Sequence, residues 1–234
     1  MAGASAAEPQ GRLRGRLEAL QSRIQEGLQR GGREPGCVRL VAVSKGQPPE
    51  AVRAVLALGL RDLGENYLQE CAAKAAQLGG ELQPTWHMLG HLQSNKAVRA
   101  AQLFSRVDSL DSLALARRLD RARPGPVPLR ALCEVDFTGV PGRTGYRPEL
   151  LSEELPELLR LPHLRIEGLM TVAAPEGAGT AFAACRELRS DLERRWGQEL
   201  PVLSMGMSLD FEEAIAHGST EVRIGTLLFG PRRA

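Results

Sequence analysis

Leu13, Leu17, Leu20, Ile24 and Leu28 recur at three- and four-residue steps, while Arg12, Arg16 and Glu26 fall on the remaining positions. That spacing predicts an amphipathic helix with a single apolar stripe. Gly31 and Gly32 follow it, and glycine readily takes the positive φ at which helices stop. Residues 1–10 precede this period and are read as a flexible start. Beyond Gly32 the pattern changes: short apolar runs alternate with longer helical stretches, the signature of βα units on a parallel sheet. Eight runs read as strands, over 38–45, 62–67, 85–90, 106–110, 129–136, 165–172, 202–207 and 221–226. Helical patterns cover 48–58, 68–78, 113–121, 149–161, 181–195 and 211–217, with Gly59, Gly79 and Gly218 as stops.

Eight strands are the number that closes a barrel, although an open doubly wound sheet uses the same alternation. The polar residues help decide. The strand ends carry Lys45, Glu65 and Asn66, His87 and His91, Asp108, Glu134 and Asp136, Thr171, Ser204 with Ser208, and Arg223 with Thr226. In a βα barrel those ends converge on one mouth, where active sites sit. The expected fold is therefore α/β, a (β/α)8 TIM barrel as one domain over residues 11–234, with an extra N-terminal helix.

Composition narrows the function by exclusion. Thirty basic and twenty-eight acidic residues leave a net charge of +2, which offers no footprint for a nucleic-acid backbone or an anionic bilayer. The N-terminus has no basic run leading into an apolar segment, and nowhere do eighteen apolar residues run together. Cys37, Cys71, Cys133 and Cys185 lie far apart without a CxxC pair, which suits a reduced cytoplasm. His87 and His91 are four apart, but "HMLGH" lacks the glutamate of a zincin helix and holds Gly90 between the imidazoles, so no metal site is expected.

The chemistry concentrates in three places. In the stretch "LSMGMSLDFEEAIAHGSTEVRIGTLLFG" Gly206 permits close backbone approach and Ser208 is placed to cap the helix after it. Gly225 and Thr226 form a second small-residue turn, and barrels frequently bind phosphate at the loops after strands seven and eight. Arg223 alternates with Val222 and Ile224 and so points into the barrel, where it needs an acceptor: either Glu134 or Asp136, or a ligand's ring nitrogen. Lys45 falls on the face of Val41 and Val43 and is also read as inward. Lowering a lysine pKa from about 10.4 to about 7.5, as imine formation requires, costs roughly 4 kcal/mol, which burial and a neighbouring cation can supply.

Read in order, "VAVSK", "GENYLQE", "WHMLGHLQSNK", "VDSLD", "GLMTV" and "SMGMSLDFEEAI" followed by "VRIGTLLFG" resemble the pyridoxal phosphate homeostasis protein family over nearly the whole chain. The resemblance implies a fold like the barrel domain of alanine racemase, with pyridoxal 5′-phosphate (PLP) held as a Schiff base on Lys45. It places Arg223 opposite the pyridine nitrogen, Ser208, Gly225, Thr226 and the backbone of Met207 on the phosphate, and Asn66 and His87 beside the cofactor. It implies a monomer in intracellular vitamin B6 homeostasis without established catalysis, with apo-enzymes as recipients of the cofactor. Where the family commonly carries a lysine after the fifth strand, "DFTGVPGRTGY" places Arg143, so a role for that lysine does not transfer.

Two features argue for a carrier over an enzyme. An arginine does not readily leave a ring nitrogen protonated, which weakens the ring as an electron sink. Four residues after Gly230 also leave no room for the β domain that supplies the tyrosine base of alanine racemases. A slow PLP-dependent racemase or lyase, and a regulatory protein that responds to PLP, remain the alternatives.

Overall fold

The computed structural model describes residues 4–79 and 83–231, with side chains from residue 11 onward. Helix α1, Ala4–Arg30, carries the Leu13-to-Leu28 stripe, all of it buried. The flexible start expected for residues 1–10 falls partly outside the described residues. Each stripe side chain removed from water contributes about 1.5–3 kcal/mol.

Strands β1 Arg39–Val43, β2 Asp62–Glu65, β3 Thr85–Met88, β4 Arg106–Leu110, β5 Leu129–Glu134, β6 Leu164–Met170, β7 Val202–Ser204 and β8 Glu221–Ile224 follow. All pair in parallel with their sequence neighbours, and β8 returns to β1 with Arg39 opposite Glu221 and Val41 opposite Arg223, closing the barrel. The strand runs read from the sequence hold, but all strands except β4 stop two or three residues short of the reading. Lys45 therefore stands in a turn two residues beyond β1 rather than at the end of a strand.

The helices are α2 Pro49–Ala57, α3 Leu68–Leu78, α4 Ala97–Leu103, α5 Leu113–Ala122, α6 Pro148–Leu158, α7 Ala178–Trp196, α8 Phe211–Ala216 and α9 Thr226–Phe229. Two of them, α4 and α9, were not expected. Helix α4 buries only Ala97, Ala100 and Ala101, small residues that leave almost no hydrophobic period, and α9 is a single turn.

Strand alternation divides the interior. Ala42, Leu63, Trp86, Val107, Ala131, Leu169, Leu203 and Val222, one from each strand, pack outward into the core shared with the helices. Their neighbours in sequence face the lumen, as period-two geometry requires. Gly168 lets β6 and β7 approach, since a Cβ there would lie 1.9 Å from the carbonyl oxygen of Val202. Helix α1 lies against α8 and α9, the helices that follow β7 and β8. Arg23 forks onto Glu212 at 3.1 and 3.0 Å, and Arg33 and Arg16 donate to the carbonyls of Ile215 and Phe229. The added helix thus braces the part of the mouth where a phosphate site was expected.

The lumen is charged. Arg106 donates to both oxygens of Asp108, at 2.6 and 2.7 Å, and to Glu221 Oε1 at 2.5 Å, all three side chains being buried. His87 joins them, with Nε2 2.9 Å from Asp62 Oδ1 and Nδ1 3.6 Å from Asp108 Oδ2. Ligand atoms of His87, Asp108 and Glu221 lie within 4.8 Å of one another. The Arg106 guanidinium supplies positive charge between the two carboxylates, so these groups form a buried ion-pair cluster. No helix among the described residues is long and apolar enough to cross a membrane.

Candidate functional site

The turn that carries Lys45 is fixed from both sides. Ser44, fully buried, donates through Oγ to Glu65 Oε1 at 2.6 Å. Lys74 Nζ, also buried, donates to the Ser44 carbonyl at 2.6 Å, to Glu65 Oε1 at 2.6 Å and to Glu70 Oε1 at 2.7 Å. Glu70 Oε1 in turn accepts from the Gly46 amide at 2.5 Å. All three protons of the Lys74 ammonium have acceptors, and the residues before and after Lys45 are tied to α3 by them. Lys45 itself is partly buried. Burial raises the Glu65 pKa, while Lys74 and Ser44 pull against that rise.

Lys74 was missed in the sequence, where Glu70 and Lys74 look like an ordinary surface pair one helical turn apart. A signal was present: Lys74 falls on the stripe of Leu68, Cys71 and Leu78, the buried face of α3. Asn66, after β2, is partly buried, and its backbone is packed under the end of β3: a Cβ on Gly90 would lie 2.3 Å from the Asn66 carbonyl oxygen.

The loop after β7 needs its glycine. Gly206 has φ of +91°, and a Cβ there would meet Ala214 Cβ at 2.6 Å and Phe211 Cα at 2.8 Å. The expectation that Ser208 caps the helix after it is corrected. Helix α8 starts at Phe211 behind Asp210, and Ser208 Oγ accepts instead from the Leu227 amide of α9 at 3.4 Å. This bond joins the loops after β7 and β8, and Gly225 lies over the end of β1, where a Cβ would stand 3.3 Å from the Val43 carbonyl oxygen. Thr226 is exposed at the start of α9. The Met207 amide, expected to face a phosphate, donates to Asp210 Oδ1 at 2.6 Å, so that role requires Asp210 to let go.

Arg223 faces the lumen as expected and is 4% exposed. Nη1 donates to Ser204 O at 2.6 Å and Ser204 Oγ at 2.8 Å, and Nη2 donates to Thr171 O at 2.8 Å. The ion pair with Glu134 or Asp136 that the sequence left open is not formed. Asp136 Oδ1 accepts instead from Thr138, through both its amide and its hydroxyl. The Glu134 carboxylate accepts from the Thr144 hydroxyl, at 3.4 and 3.5 Å. Burial raises the Glu134 pKa and Arg223 opposes that rise through space. For Arg223 burial lowers the pKa, against Glu221, Asp108 and Glu134.

His87 is not brought to this rim. Both ring nitrogens look toward Asp62 and Asp108 inside the barrel and none of the side chain is exposed, so its expected place beside a cofactor is not supported by its position. His91 stands on the rim, half exposed, 3.0 Å from Asp111. Arg143 is exposed and donates to the Val172 carbonyl at 3.1 Å, bridging the loops after β5 and β6. The mouth thus gathers Lys45 on a pinned turn, Asn66, a guanidinium held by neutral oxygens, and two small-residue loops tied by Ser208. Such a set suits an aldehyde that bears a ring acceptor: an amine for the carbonyl and a donor for the ring.

Comparison with known proteins gives the same direction. Residues 16–233 match the model of the alanine racemase N-terminal domain. The chain is 45% identical over 221 residues to the pyridoxal phosphate homeostasis protein of Pseudomonas aeruginosa, covering 92% of this chain and 94% of that protein. Its counterpart of the same name in Aquifex aeolicus is 40% identical over 223 residues, covering 93% and 97%. PipY of Synechococcus elongatus with PLP bound superposes with a TM-score of 0.81 at 37% identity, over 93% of this chain and all of that one. An alanine racemase of Clostridium difficile shares the fold, with a TM-score of 0.70 at 15% identity, over 92% of this chain and 60% of the racemase. With a barrel of this kind and relatives this similar along almost its full length, the chain belongs to the pyridoxal phosphate homeostasis proteins, within the alanine racemase N-terminal domain family.

Proposed function

We propose that the protein holds PLP as a Schiff base on Lys45 and keeps it available for intracellular vitamin B6 homeostasis, without turning over a substrate. Arg223 carries this reading. Its guanidinium is fixed by the Ser204 and Thr171 oxygens and has no carboxylate within hydrogen-bond reach. A guanidinium is a donor only and does not hand its proton to a ring nitrogen. When bound, PLP supplies an electron sink, and a sink with an unprotonated ring is a weak one for carbanion chemistry. Ser208, Gly225 and Thr226 would hold the phosphate and Asn66 would lie beside the ring, with the Met207 amide joining after release from Asp210. The relatives named for PLP homeostasis and the PLP-bound PipY support the cofactor.

Holo-protein would hand PLP to apo-enzymes as a monomer in the cytoplasm. Tyr67, Val140 and Leu209, exposed apolar residues on loops of this mouth, support contact with a recipient there. Three buried free thiols suit a reducing compartment. Borohydride reduction of PLP-loaded protein followed by peptide mass spectrometry is expected to place one pyridoxyl group on Lys45 and none on Lys45→Ala. An unlabelled Lys45 ends the proposal, and loss of enantiomeric purity in an amino-acid panel, abolished by Lys45→Ala, would make the protein a racemase instead.

A further inference from the structure

The loop between β7 and α8 carries a carboxylate at the place where the proposed function needs an anion site. The Met207 carbonyl accepts from the amides of Asp210, at 3.3 Å, and Phe211, at 2.9 Å, so residues 207–210 close a tight turn. Asp210 stands at the N-cap of α8, where an aspartate commonly accepts from the second or third amide of its own helix. No such bond is formed among the described residues. Its Oδ1 turns back instead and accepts from the Met207 amide at 2.6 Å, a short contact of the charge-assisted kind. Arg223 also feels the Asp210 charge through space, so this carboxylate lies within electrostatic reach of the lumen.

Side-chain oxygens thus lie on two amides of the paired loops, Asp210 on Met207 and Ser208 on Leu227. They answer an incoming phosphate differently. A hydroxyl can rotate and donate to it, whereas a carboxylate is an acceptor only and repels it. Opening the turn costs little burial: Leu209 is 98% exposed and has almost no packing to lose, while Phe211 behind it is buried and anchors α8. We infer that Asp210 is an internal competitor for the phosphate. Its carboxylate holds the Met207 amide, a phosphate displaces it, and its return favours release. The inference rests on the proposed function and names the residue that keeps the cofactor exchangeable.

The test uses the full chain with pyridoxine 5′-phosphate and pyridoxine, in which a hydroxymethyl group replaces the aldehyde, so imine formation on Lys45 plays no part. Both are titrated by calorimetry into wild type, Asp210→Asn and Asp210→Ser. Asparagine and serine are good N-cap residues, so α8 keeps its start while the charge is gone. Each variant is expected to bind pyridoxine 5′-phosphate about tenfold more tightly and pyridoxine within about twofold of wild type. In the unaltered protein, pyridoxine 5′-phosphate is expected to shift the Asp210 carboxyl-carbon and Met207 amide resonances, and pyridoxine to leave them in place. Binding of pyridoxine 5′-phosphate that is unchanged or weaker in both variants overturns the inference and makes Asp210 a loop residue only. So does an equal gain for pyridoxine, or an Asp210 resonance in wild type that ignores the phosphate. Failure of every protein to bind pyridoxine 5′-phosphate overturns it as well, whereas the Schiff base stands or falls separately on the borohydride labelling of Lys45.

Discussion

Lys74 Nζ stands 2.6 Å from the carbonyl oxygen of Ser44, the residue that precedes Lys45. The same nitrogen ties Glu65 and Glu70, so one buried ammonium sets the turn on which the proposed Schiff-base lysine is presented. Lys74→Met removes the cation and leaves Glu65 buried beside an uncompensated carbonyl. Stability is expected to fall by about 3 kcal/mol in urea unfolding, and cofactor labelling of Lys45 should slow. Lys74→Met combined with Glu65→Gln should recover part of the stability, because the stranded carboxylate is then gone. An unchanged urea midpoint in the single variant would show that the turn holds without α3.

Arg223→Leu keeps the bulk of the side chain and removes its donors. The Ser204 and Thr171 carbonyls lose a charged partner, and a ring acceptor in the mouth loses its own. PLP retention on dialysis is expected to weaken about tenfold, equivalent to about 1.4 kcal/mol, while borohydride still labels Lys45. Retention equal to wild type would place the ring elsewhere.

Gly206 is expected to tolerate no side chain. A φ of +91° disfavours every residue with a Cβ, and the atom itself would press on Ala214 and Phe211. Gly206→Ala should lose about 2 kcal/mol or more in thermal unfolding. It should also weaken phosphate-dependent binding, measured as the ratio of affinities for PLP and pyridoxal. A variant with wild-type stability and ratio would remove this loop from the site.

The fold was legible because each strand pairs a helix-facing apolar residue with a lumen-facing neighbour, as Val222 and Ile224 do around Arg223, and period-two alternation survives even where the lumen is charged. Arg223 and the loops around Gly206 and Gly225 follow from the same alternation, whereas Lys45 stands in a turn two residues beyond β1, where the alternation no longer sets its direction. Long-range polar partners were not legible. Nothing in "HMLGH" tells that His87 meets Asp62 across 25 residues, or that Arg106 meets Glu221 across 115. Ser208 was assigned to the helix nearest in sequence, whereas its partner, Leu227, is nearest in space. Local pattern dictates direction, and tertiary closure dictates partner.

His87 gives the network an alkaline limit. Burial works against a charge on this imidazole, yet Asp108 and Asp62 outweigh it and raise its pKa above the ordinary value. A group whose folded pKa is raised contributes stability that is complete below its unfolded value, about 6.5, and is lost as pH rises through the folded one. Thermal midpoints are therefore expected to be level from about pH 5.5 to 6.5 and to decline above neutrality. His87→Gln keeps a donor for Asp62 and removes the titration, so the decline from this group should vanish, while stability at pH 6 drops by about 3 kcal/mol because Asp108 loses a positive neighbour. Parallel pH profiles for the two proteins would mean that the histidine is neutral in the folded barrel and that Arg106 alone balances Asp108 and Glu221.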